Sequence, residues 1–80
     1  MSDFSKLKRK RYPMPEYVKE ALLREKVMQL YQSRPPYQQN DYIGWITRAA
    51  QEETKRNRIN QMIDELKRGN VYMKMKWNPK

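Results

Sequence analysis

Arg34-Pro35-Pro36-Tyr37 opens, and Leu66-Lys67-Arg68-Gly69 closes, the stretch whose reading decides the fold. Between them lie Tyr42-Ile43-Gly44-Trp45-Ile46, then Glu53-Thr54-Lys55, then the series Ile59, Met62, Ile63 and Leu66. Two consecutive prolines cannot sit inside a helix, but they can lead into one. A helix is therefore expected from about Tyr37 to Ala50. Tyr42, Trp45, Ile46 and Ala49 fall at i, i+3, i+4 and i+7, which makes one buried face. The opposite face holds Asn40, Gly44, Thr47 and Gln51. Gly44 thus reads as exposed, at a cost of roughly 1 kcal/mol relative to Ala. After a turn around Gln51, Glu52 and Glu53 open the next helix with the charge that its first turn favours. Ile59, Met62, Ile63 and Leu66 form its buried stripe, with Asp64 and Glu65 read as outward-facing. Lys67 and Arg68 complement the C-terminal dipole, and Gly69 suits a left-handed cap. The predicted core anchors are Tyr42, Trp45, Ile46, Ile59, Ile63 and Leu66.

Upstream, Pro13 and Pro15 end a charged arm, and a helix is expected from about Pro15 to Leu23. Val18, Ala21 and Leu22 share one face of it. The next apolar set, Leu23, Val27, Leu30 and Tyr31, follows a shifted phase. Either the helix breaks near Arg24–Lys26 or a single helix rotates its stripe. Leu30 and Tyr31 read as core in both cases. The fold class expected is all-α, a small bundle of three to four short helices with flexible basic N- and C-terminal tails. The division is a basic arm over 1–12, a helical domain over 13–70 and a basic, aromatic tail over 71–80.

At 80 residues the chain is one small domain. It contains no Cys and no His, so disulfides, thiolate metal sites and the commonest neutral-pH proton shuttle are excluded. No apolar run approaches the roughly 20 residues that span a bilayer, and no secretory signal is visible, so the cytoplasm is the expected location. Of the net charge of +9, residues 1–12 carry +4 and residues 70–80 carry +3, leaving +2 for the body. Attraction to a polyanion should therefore act through the ends. Lys8, Arg9, Lys10, Arg11, Lys74 and Lys76, with Lys55 and Arg58 on the body, are the candidate partner or polyanion contacts. From Val71 on, the tail alternates: Val71, Met73, Met75 and Trp77 would point one way if extended. A lone strand has no partner, so docking near its start and disorder near Pro79 are expected.

Catalysis has little to work with. There is no glycine-rich phosphate loop and no nucleophile–base constellation, so an enzyme, a cofactor and a metal are not expected. Helices over 37–50 and 52–68 could be mistaken for a helix-turn-helix, with Arg56, Asn57, Arg58, Asn60 and Gln61 on the second. Asp64 and Glu65 would oppose phosphate along the same helix, and the body's charge is low for a DNA reader. The alternatives to a protein partner are nucleic acid or an anionic membrane surface reached through the tails.

Arg34-Pro35-Pro36, Tyr42-Ile43-x-Trp45-Ile46, Ala49, Glu53-Thr54-Lys55-x-x-Arg58-Ile59, and Leu66 with Gly69 together resemble the C-terminal helical module of the YdeI/OmpD-associated family. The resemblance covers about residues 13–69. It departs at Tyr37, where a Ser is common, at Glu52, where a Pro is common, and at Lys55 and Asn57, where Arg is common. What it implies is a bacterial interaction module of bacteriocin-protection type, without established chemistry, that binds a protein partner in a stress or protection role. A β-rich domain often precedes this module in the family; here a basic arm precedes it. Tyr42, Trp45, Lys55 and Arg58 match family positions.

Overall fold

The computed structural model describes residues 11–78. Among them, four helices come in order: α1 (Glu16–Arg24), α2 (Met28–Gln32), α3 (Pro36–Thr47) and α4 (Glu52–Arg68). Two short strands follow, β1 (Val71–Tyr72) and β2 (Met75–Lys76). The molecule is mostly helical, as the periodicity requires, but it ends in an antiparallel hairpin that periodicity did not predict. Lys8, Arg9 and Lys10 of the arm, and Pro79, lie outside the described residues.

α1 starts behind Pro15 and buries Val18, Ala21 and Leu22. The choice between a break and a rotating stripe resolves as a break. Lys26 adopts φ +61°. Its N–H donates to Leu23 C=O at 3.1 Å, and the Val27 N–H donates to Leu22 C=O at 3.0 Å. This is a Schellman cap with a lysine where glycine is usual, sealed by the buried pair Leu22 and Val27. The five-residue α2 then buries Tyr31. Leu30 corrects the sequence reading: it is 43% exposed, because the cap resets the helical phase and turns it outward.

α3 is buried on more than one side. Tyr42 and Ile46 are buried, as is Ala49 just past its end, but so are Gln38, Ile43 and Gly44. The exposed reading of Gly44 is therefore wrong, and the cause lies far away in sequence. The ring of Tyr12 lies on Gly44 so closely that a Cβ there would come within 2.6 Å of Tyr12 Cε2. The Tyr12 N–H donates to Asn40 Oδ1, one turn earlier on α3, at 2.8 Å. The last residues of the arm are thus part of the body, and α3 has cover on two faces.

α4 packs against α1, α2, α3 and β1, which makes it the axis of the fold. Met62, Ile63 and Leu66 join Val18, Ala21, Leu22, Tyr42, Ile43 and Ile46 in one apolar cluster, with Trp45 and Ile59 half-buried at its edge. The helix ends at Gly69 in the left-handed region, φ +82°, with its N–H on the Glu65 carbonyl at 2.9 Å. Glu65, read as outward-facing, is 2% exposed. It sits three residues after Met62 and one before Leu66, so helical geometry carries it to the edge of the buried stripe.

The hairpin replaces the flexible C-terminal tail. Val71 pairs with Lys76 and Tyr72 with Met75. Met73 and Lys74 make the two-residue turn, with φ +50° and +65°. The single alternating face expected for Val71, Met73, Met75 and Trp77 does not form, because the chain reverses after Tyr72.

Candidate functional site

The hairpin returns the chain onto α4 and onto the corner between α2 and α3. Buried polar groups meet there, beside the Tyr72 and Met73 side chains that pack on the core. The Glu65 carboxylate accepts four hydrogen bonds. Tyr42 Oη at 2.5 Å and Met73 N–H at 2.8 Å reach Oε1. Gln61 Nε2 at 3.0 Å and Lys74 N–H at 2.8 Å reach Oε2. Two successive N–H groups in a left-handed turn make a concave donor pair suited to an anion, and here a carboxylate of the same chain fills it. Burial, reinforced by the hydrogen bond to the Glu65 carboxylate, pushes the Tyr42 hydroxyl well above its ordinary value. It therefore stays a donor through the neutral range.

Arg34 holds the other end of the seam and is 4% exposed. Its Nη1 donates to Gln38 Oε1 at 2.9 Å, and its Nη2 donates to the carbonyls of Glu65 and Val71, both at 2.9 Å. Its guanidinium also lies 4.7 Å from the centre of the Trp77 ring, a cation–π contact. A buried cation costs stability unless its donors are used, and these contacts use them. Tyr72 completes the seam. Its ring meets Tyr37 and Tyr42 edge-on at 6.0 and 5.4 Å, and its hydroxyl donates to Asp41 Oδ2 at 2.6 Å. Beside it, a groove of about 560 Å³ is lined by Tyr12, Trp45, Arg48, Tyr72, Met73 and Met75, among others.

Lys55 and Arg58 lie away from this seam. The Lys55 ammonium sits 5.6 Å from the centre of the Tyr17 ring. The Arg58 guanidinium sits 5.3 Å from the Trp45 ring and donates to the Trp45 carbonyl at 2.5 Å. Both cations cover aromatic rings at the edge of the core. Arg11 is exposed, as are Lys74 and Lys76, and Arg11 lines a second groove, of about 390 Å³, with Tyr12 and Tyr37. On α4, Arg56, Asn57 and Asn60 are exposed, whereas Gln61 is committed to Glu65.

Arg34, Gln38 and Glu65 are the site residues that the sequence reading missed. Glu65 had a signal in its position beside Met62 and Leu66. Arg34 had one only as a motif position, and Gln38 had none, because Arg34, its partner, is held by carbonyls more than 30 residues later. Chemically the seam is an internally engaged polar network, with both Glu65 carboxylate oxygens and three Arg34 hydrogen bonds already in use. Among the described residues, no cluster of acids could hold a metal ion, and no helix is long and apolar enough to cross a membrane.

A small helical body clasped by a polar seam is the architecture. The sequence places it: the chain matches the family described as "Bacteriocin-protection, YdeI or OmpD-Associated" over residues 4–69, and it belongs to that family. No curated protein and no solved structure matches it. The match begins earlier than the resemblance read from the motifs, and it ends before the hairpin. Arg34, Tyr37, Tyr42 and Glu65 lie inside it, and Tyr72, Met73, Lys74 and Trp77 lie outside.

Proposed function

We propose that this chain is a non-enzymatic, cytoplasmic module that binds a protein partner in a bacteriocin-protection role. The family match over residues 4–69 carries this reading. The packing of Tyr42, Ile46, Met62 and Leu66 supports it, because a recognition surface needs a rigid platform more than it needs a reactive group. The nucleic-acid alternative gains no support from the family.

The test is survival of bacteria that express the chain and are challenged with a bacteriocin. Expression should raise survival, and Ile46→Asp, which places a charge in the core, should remove the effect. Equal survival with and without the chain would overturn the proposal. Binding of the purified protein to a DNA oligonucleotide at physiological salt, falling steeply as salt rises, would favour the nucleic-acid reading instead.

A further inference from the structure

We infer that the surface beneath the C-terminal hairpin is a receiving site for an aromatic peptide segment, and that residues 71–77 are its resident occupant. The inference rests on the partner-binding reading above and places the site of binding. Three observations carry it. First, the boundary of the family match separates the two sides. Arg34, Tyr37, Tyr42 and Glu65 belong to the matched module, where Gln38 and Gln61 also bond to them, and the hairpin groups that meet them, from Val71 to Trp77, come from beyond residue 69. Second, the contacts are those of a bound peptide. Arg34 takes the Val71 carbonyl, and Glu65 takes the N–H groups of Met73 and Lys74, so the backbone of another sequence could satisfy the same three groups. Selectivity comes from two side chains. Tyr72 is read by Tyr37, Tyr42 and Asp41, and Trp77 is read by Arg34.

Third, the occupant does not organise itself. Its strands are two residues each, and both turn residues hold a left-handed conformation that non-glycine residues avoid. An isolated two-stranded hairpin is at best marginally stable, so the body imposes this shape. The partner that fits is a peptide with a Tyr, a two-residue turn and a Trp five positions after the Tyr. Such a partner must displace the tethered tail, whose effective concentration lies in the millimolar range.

The experiment uses the full chain carrying Tyr72→Ala and Trp77→Ala, which removes the tail's two anchors. A labelled synthetic peptide of residues 70–78 is titrated into this variant and into the unchanged protein, with helical circular dichroism recorded for both. The variant should stay helical and bind the peptide at least about tenfold more tightly than the unchanged protein, whose own tail competes. A peptide with Ala at both aromatic positions should lose that binding. Equal binding by the two proteins, or no binding by either, would overturn the inference. So would loss of helical structure in the variant, because the hairpin would then be part of the body and not an occupant. Bacteriocin survival is read on the unchanged chain, so it can succeed while the peptide titration fails, or the reverse.

Discussion

Leu66 and Glu65 are neighbours on α4 and are equally hidden, at 1% and 2% exposure, by opposite means. Leu66 is covered by the apolar cluster shared with α1, α2 and α3. Glu65 is covered by hydrogen-bond donors from α3, α4 and the hairpin turn. The apolar seam tolerates small errors of angle, since dispersion and burial are not directional. The polar seam is directional, and a lost partner leaves a buried charge unsatisfied. The first seam should set whether the chain folds. The second should set where the tail goes.

Four changes probe that division. Leu66→Ala should destabilise the whole chain by roughly 2–5 kcal/mol, seen as a lower thermal midpoint with helix and hairpin lost together. Glu65→Gln keeps the shape but removes the charge and turns an acceptor into a donor. It should cost roughly 1–3 kcal/mol, with the hairpin loosened before the helices in residue-resolved melting.

High pH attacks both seams through buried phenols. Burial pushes the Tyr31 hydroxyl up to about 12 from an ordinary 10, and Tyr42 is raised as well. A raised value means that the unfolded chain loses its proton first. Stability from these groups is therefore complete below pH 10 and falls as pH rises through the folded values, by about 1.4 kcal/mol per pH unit for each group at most. Chemical denaturation at a series of alkaline pH values, with phenolate absorbance followed in parallel, checks the slope. Stability unchanged between pH 10 and 12 would contradict it. The smallest effect lies outside both seams. Lys26→Gly relieves the left-handed strain in the α1 cap and should raise the unfolding free energy slightly, by about 1 kcal/mol or less, seen as a small rise in the thermal midpoint.

What the sequence made legible follows the same division. The apolar stripe of α4, its acidic start and its Gly69 cap were readable, because each depends on residues within a few positions of one another. α3 was readable only in part. Its stripe at Tyr42 and Ile46 was visible, but the burial of Gly44 depends on Tyr12, and Gln38 is the partner of Arg34, whose other donors reach Glu65 and Val71. The hairpin was hidden because its turn carries Met73 and Lys74, not the Asn-Gly or Gly-Gly that signals such a turn. Glu65 supplies from a distance what the turn sequence lacks. Lys55 and Arg58 were legible as family positions, but the aromatic rings that they cover could be assigned only once α1, α3 and α4 were packed together.

The most direct test of the polar seam is amide hydrogen exchange, read residue by residue, in the unchanged protein and in Glu65→Gln. The amides of Met73 and Lys74 should be protected in the first and exchange much faster in the second, while the amides of Met62 and Leu66 stay protected in both. Equal protection of Met73 and Lys74 in the two proteins would show that the turn stands without the Glu65 carboxylate, and the account of the hairpin as a segment held by the body would fail.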